Sequence, residues 1–224
     1  MIPPGEFIPL AEETGLILPL GDWGLTEACW QVAAWKSLPG AQWQSLRVSV
    51  NLSARQFGRP GLADHVAEVL EKTFVAADDL RQEVTESSLM SNPEAALETM
   101  EDLKALGVGL HMDDFGTGYS SLNYLHRYPF DTLKIDRSFI QGIADEEDSA
   151  EIVGTILELA RSLEMDVVGE GIETAEQVER LKSLGCRLGQ GYYFAKPMNA
   201  EAISEILVAS GESGYRLKMS GQPN

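Results

Sequence analysis

The sequence predicts an α/β fold of the TIM type, a (β/α)8 barrel that lacks its first two strands in this chain and shows six βα units. Three observations lead there. Short apolar runs alternate with amphipathic stretches of helical length, the pattern of a parallel sheet with helices outside it. Nearly every run ends in a polar residue: Asn51, Glu83, Asp113 with Asp114, Lys134 with Asp136, Glu170 and Gln190. A barrel gathers its C-terminal strand ends at one mouth, whereas an open sheet spreads them along a line. The chain also opens abruptly, at Met1-Ile2-Pro3-Pro4, inside what reads as a loop leading to a helix. The two absent strands are therefore expected at the N-terminal end.

The expected strands are residues 47–51, 80–83, 108–113, 132–135, 166–169 and 187–190. The expected helices are residues 24–37, 62–73, 93–106, 120–128, 149–163, 175–184 and 200–209. Asn92-Pro93 gives a cap followed by proline in the first turn, and Gly107 and Gly185 sit just past helix ends. Ile152, Ile156, Leu159 and Leu163 form one apolar face. Residues 1–210 read as one domain, and the polar, Gly/Ser-bearing stretch 211–224 as a frayed tail.

At 224 residues the chain is long enough for one α/β domain with a sizeable core. Its net charge is -18, from 17 basic and 35 acidic residues. A nucleic acid polymer would meet net repulsion, and no basic stripe offsets it. A small phosphate ligand stays compatible, because divalent cations reverse a local field. Cys29 and Cys186 lack a metal-ligand spacing and read as reduced, buried thiols. No run reaches the roughly 18 apolar residues of a membrane span, and the N-terminus has no signal-peptide pattern. The expected setting is the cytoplasm, with no membrane contact from this chain, including as the cytoplasmic part of a larger anchored protein.

The strongest chemical signal is His111-Met112-Asp113-Asp114-Phe115-Gly116-Thr117-Gly118. Adjacent carboxylates repel, so a fold that holds them together usually gives them a cation. Regular strand alternation would aim the two in different directions. A twist at the strand end lets both approach a metal pair, with Asp113 the bridging candidate. Asn51 offers a hard amide oxygen suited to Mg2+ or Mn2+, and is also an ordinary turn former. Glu83 ends a core strand, where an acid is costly. Glu86 lies three residues on, placed to brace a loop or to take part in a capping box. Lys134 sits inside an apolar strand and needs acidic neighbours or a polar mouth. There it could orient or help deprotonate an attacking water. Glu170 lies between two glycines at a strand end. Glu173 opens a helix, where it also complements the dipole. Gln190 adjoins a glycine, and of the aromatics that follow, Phe194 reads as core. No Ser-His-Asp or Cys-His arrangement stands out. Carboxylates, amides and one lysine at one mouth suit metal-assisted hydrolysis of a phosphodiester by two ions.

These residues resemble the EAL domain family of cyclic-di-GMP phosphodiesterases. The matching motifs are Glu6-Phe7-Ile8-Pro9-Leu10-Ala11-Glu12, Asn51-Leu52-Ser53, Glu83-Val84-Thr85-Glu86-Ser87 and the run from Asp113 to Leu122. They continue with Lys134-Ile135-Asp136, Glu170-Gly171-Ile172-Glu173-Thr174 and Gln190-Gly191-Tyr192. The resemblance implies a modified TIM barrel that linearises cyclic-di-GMP to 5′-pGpG with Mg2+ or Mn2+ at a two-metal site. By position, Asn51, Glu83 and Asp113 look like metal ligands, with Asp114 serving a second metal. Lys134 looks like the residue that holds the attacking water. Glu170 looks like a carboxylate acting on the second metal through water, and Gln190 like its polar helper. Glu86 resembles the acid that anchors the loop after Asp114, and Glu173 an acid supporting the site. The resemblance also brings a homodimer and GGDEF or sensory domains upstream as expectations.

The family's Glu-Ala-Leu segment is not found in this sequence, nor is the Leu-x-Arg-Trp that follows it. That segment supplies one metal-binding glutamate and an arginine that contacts the ligand phosphate. It is expected before Ile2, which agrees with the two strands missing from the count. The alternative expectation is therefore a catalytically impaired module that binds cyclic-di-GMP or mediates an interaction. A third reading, an unrelated metal-dependent lyase on the same barrel, explains the strand-end acids without the motifs.

Overall fold

The computed structural model describes residues 2–38, 46–90, 93–116, 125–144 and 146–213. The chain divides into two compact units, residues 1–111 with 127–129, and residues 112–126 with 130–224.

The first unit opens with α1 (Pro4–Thr14) and α2 (Ile17–Lys36). Proline stands at the first position of α1, where its missing N–H costs nothing. The stretch expected as a loop, Met1-Ile2-Pro3-Pro4, thus gives way to helix at Pro4, and Pro9 lies inside that helix. Helix α2 starts seven residues before the expected Gly24. Strands β1 (Val48–Leu52) and β2 (Leu80–Thr85) pair in parallel, with Asn51 opposite Glu83. Leu80, Gln82 and Val84 are fully buried on one face of β2, which leaves Arg81, Glu83 and Thr85 for the other. Between the strands run the short α3 (Ala54–Phe57) and the amphipathic α4 (Leu62–Thr73). Ser53 and Gln56 open α3 with a reciprocal capping box. After β2 come α5 (Glu86–Met90) and α6 (Pro93–Leu106). Helix α2 packs on α4 and β1, and α4 packs on α6. Val32, Val66, Met100 and Leu103 lie wholly out of water there, each contributing about 1.5–3 kcal/mol of transfer free energy.

Strand β3 (Gly109–Phe115) carries the chain from the first unit into the second. Strands β4 (Thr132–Ile135) and β5 (Asp166–Gly169) pair in parallel, and β5 pairs in parallel with the two-residue β6 (Leu188–Gly189). Their helices are residues Arg137–Gln141, Glu147–Ser162, Ala175–Leu184 and Ala200–Ser213. All four residues of β4 are buried, so Lys134 is not an edge lysine.

Six strands are present among the described residues, as expected, with β4 and β5 matching to the residue. Three expectations need correction. The buried face of Glu147–Ser162 is Val153, Ile156, Leu157 and Ala160, while Ile152 is 45% exposed, because the helix is turned by about one position. Tyr193, not Phe194, is the buried aromatic after Gln190, with the Phe194 ring edge-on to it at 5.4 Å. The last helix, expected at 200–209, continues to Ser213. Asn92, most of the expected helix 120–128 and residues 214–224 lie outside the described residues. Both cysteines are free and buried, as expected; burial pushes the Cys29 thiol up to about 11 and raises that of Cys186. No helix among the described residues is long and apolar enough to cross a membrane.

Candidate active site

The second unit brings most of the expected residues together. Parallel pairing sets Lys134 beside Val168 and Ile135 beside Gly169. Beyond the strand ends the backbones stay joined, Glu170 N–H donating to Ile135 O at 3.1 Å and Gln190 N–H to Gly169 O at 2.8 Å. These bonds fix Glu170 and Gln190 at neighbouring strand ends.

Lys134, with a side chain only 5% exposed, lies between two acids. Its Nζ is 2.7 Å from Glu170 Oε1 and 3.0 Å from Asp113 Oδ1. Such a buried cation is tolerable because it is paired twice. Oxygen atoms of Asp113, Asp114 and Glu170 lie within 4.8 Å of one another. Asp114 reaches this cluster by leaving strand geometry, since its φ is +54°. Its backbone N–H donates to Asp113 Oδ1 at 3.1 Å. That left-handed turn is the device by which two adjacent carboxylates approach one place despite strand alternation.

The electrostatics of the cluster favour a cation. Burial first, then the charges of Asp113 and Asp136, raise the Asp114 carboxyl above its ordinary range, against the pull of Lys134 and Arg137. Oxygen donors of this kind suit a hard divalent ion, and Asp113, Asp114 and Glu170 could hold one.

A cavity of about 590 Å³ opens on this cluster, lined by Asp114, Asp136, Arg137, Glu170, Glu173, Gln190 and Tyr192 with Gly171 and Gly191. Asp136 and Arg137 were not selected as site residues from the sequence, although Asp136 follows Lys134 at the same strand end. Asp136 accepts from the Ser138 N–H at 2.9 Å and from its hydroxyl, capping the helix Arg137–Gln141. Desolvation opposes ionisation of Asp136, but the Ser138 bonds and Arg137 outweigh it, so its carboxyl titrates below the usual range. Glu173 lines the cavity while Thr174 caps the next helix with Gln177, so the cap is not formed by Glu173.

The first unit holds the other expected residues. Asn51 and Glu83 are register partners near the ends of β1 and β2. Glu83 is buried, with Nδ1 of His111 3.9 Å from its Oε1. Glu86 is buried at the start of α5. Thr117 and the residues that follow it to Leu122 lie outside the described residues.

The profile of the EAL domain family matches residues 1–197. The bifunctional diguanylate cyclase/cyclic di-GMP phosphodiesterase MucR of Pseudomonas aeruginosa is 47% identical over 203 residues, 91% of this chain and 29% of that protein. The cyclic di-GMP phosphodiesterase NbdA of the same organism is 44% identical over 209 residues, 93% of this chain and 26% of that protein. The chain thus spans less than a third of the length of these curated relatives. A solved structure of the PaMucR phosphodiesterase in complex with c-di-GMP matches at TM-score 0.85 and 47% identity, over 90% of this chain and 81% of that one. With a family profile over most of its length and relatives above 40% identity, the chain belongs to the EAL domain family and has its α/β, TIM-type fold.

Proposed function

We propose that this protein hydrolyses cyclic-di-GMP to linear 5′-pGpG in second-messenger signalling. The observation that carries the reading is Lys134 held between Asp113 and Glu170, beside Asp114, at a cavity in an EAL-family chain. The relatives named as cyclic di-GMP phosphodiesterases support it.

In this reading Asn51, Glu83, Asp113 and Asp114 are the residues that would hold a pair of Mg2+ or Mn2+ ions. The chemistry such a pair supplies is Lewis-acid polarisation of the phosphodiester and neutralisation of charge on the attacking and leaving oxygens. The chain's own residues do the rest. Lys134 orients the attacking water through an N–H on Nζ, its direction fixed by its two acidic partners. Glu170 and Gln190 would hold water at the neighbouring strand ends, with Glu170 acting toward the second ion. Glu86 anchors the loop after Asp114, and Glu173 supports the cavity wall. The reading includes a cytoplasmic setting, a homodimer and GGDEF or sensory domains upstream.

The test is incubation of the purified protein with cyclic-di-GMP and Mg2+ or Mn2+, with products separated by chromatography. Accumulation of pGpG that stops on adding EDTA supports the reading. Tight binding with no pGpG under either metal would replace hydrolysis with the binding-module alternative.

A further inference from the structure

The second unit has a further cavity, of about 240 Å³, at the opposite ends of the strands that carry the candidate active site. Asp166 and Val167, which begin β5, line it together with Arg187 and Leu188 at the start of β6, whereas Glu170 and Gln190 stand past the other ends. The ladder between β5 and β6 takes up at the Val168–Leu188 pair. Before that pair the Cys186 thiol reaches Val167 O at 3.7 Å, a weak bond in place of a backbone one. The strands thus separate toward their starts, where the cavity opens. Leu157, Met165 and Cys186 are buried and give it an apolar floor, and Leu188 is a 49% exposed apolar edge.

The rim carries two guanidiniums, those of Arg161 and Arg187, against one carboxylate, Asp166. In a chain of net charge -18 that is a local reversal of sign. A Cβ on Gly185 would lie 3.8 Å from Arg161 Nη2, which places this guanidinium over the helix end two residues before Arg187. Lys36, Arg59, Lys72 and Lys182 each hold a carboxylate. The side chains of Arg161 and Arg187 hold none among the described residues, so both forks remain available to a ligand.

We propose that this cavity is a second binding site, for a small organic phosphate monoester whose apolar body rests on Leu157, Met165 and Cys186 while Arg161 and Arg187 hold the phosphate. Guanidinium forks match phosphate oxygens bidentately. A monoester carries about -1.5 to -2 charges at neutral pH, which two arginines balance. The volume lies below the roughly 300–1,000 Å³ of sites that enclose drug-sized ligands, so a dinucleotide does not fit within it. The site is therefore independent of the cyclic-di-GMP reading.

The experiment is calorimetric titration of the protein with phenyl phosphate at neutral pH in EDTA, which removes metal-held phosphate at the candidate active site. Saturable binding is expected. Arg161→Gln and Arg187→Gln should each lose roughly tenfold or more in affinity, the worth of a hydrogen bond to a charged group. Asp166→Asn should bind more tightly. Arg180→Gln removes an equal charge from a different groove of the same unit and should bind as wild type does. Phenol, inorganic phosphate and benzoate lack respectively the charge, the apolar body and the second charge, and each should bind more weakly. No saturable binding by wild type overturns the inference, and so do equal losses in all three arginine variants, which would mark only the general field of the protein. Phenol or inorganic phosphate binding as tightly as phenyl phosphate also overturns it, and tighter binding of benzoate overturns the choice of a phosphate. Equal unfolding midpoints are expected for substitutions at these exposed side chains. Should an arginine variant unfold, Asp166→Asn still decides, since no gain in its affinity overturns the site.

Discussion

Glu170 Oε1 lies 2.7 Å from Lys134 Nζ, an ion pair formed at the ends of two parallel strands with both side chains largely out of water. Asp113 completes it from β3 at 3.0 Å. Removing the lysine leaves two buried acids without their shared cation, and breaking a buried pair costs about 3–5 kcal/mol. Lys134→Ala should lower thermal stability without added metal and recover part of the loss with Mg2+. Turnover of cyclic-di-GMP should fall roughly a hundredfold or more. Stability unaffected in EDTA, by denaturant titration, would contradict the geometry; wild-type turnover would contradict only the role.

Asp114 gives a pH prediction of definite sign. Its carboxyl is raised in the folded protein, chiefly by burial and then by Asp113 and Asp136. A raised group stabilises the fold most below its unfolded pKa, and that contribution is lost as pH rises through the folded value. In EDTA, Asp114→Asn should therefore gain stability over wild type as pH climbs above the ordinary carboxylate range. With saturating Mg2+ or Mn2+ the advantage should shrink or reverse, because the cation favours the ionised acid. Unfolding midpoints from pH 4 to 7, with and without metal, decide it. An advantage that is independent of pH would refute the electrostatic account.

Glu83 is buried beside His111 and stands in register with Asn51. If it holds a metal, Glu83→Gln should lose metal affinity and turnover together while keeping much of the residue's volume and polarity. Calorimetric titration with Mn2+ measures the first and pGpG formation the second. Full turnover at low Mg2+ would remove Glu83 from the ligand set.

Much of this was legible because polar residues interrupt apolar runs at their C-terminal ends. Lys134 between Leu133 and Ile135 and Glu170 between two glycines are local anomalies that a sequence displays directly. The helices Ala54–Phe57, Glu86–Met90 and Arg137–Gln141 were missed because four or five residues are too few for helical periodicity. The φ of +54° at Asp114 was also hidden: aspartate tolerates that region without requiring it. Arg137 is the clearest case. Its seat on Gly171 brings a helix start against a loop more than thirty residues away in the chain, and no spacing encodes that approach.

The last prediction concerns the wall that carries Gln190. A Cβ on Gly191 would fall 2.1 Å from Ile172 O and 2.3 Å from Ile172 N, both backbone atoms, so no side-chain rotation can make room. Ile172 N–H donates to Gln190 O at 3.1 Å and Tyr193 N–H to Ile172 O at 2.9 Å across the same junction. Gly191→Ala must therefore push the two loops apart and weaken both bonds, each worth about 1 kcal/mol net. The expected result is a loss of about 2–4 kcal/mol of stability, in the range of severe single substitutions. Gln190 should shift with its own carbonyl, so turnover should fall even at temperatures where the variant remains folded. Denaturant titration checks the first and kcat well below the unfolding transition checks the second. A variant as stable and as active as wild type would mean that the junction is not the close approach described.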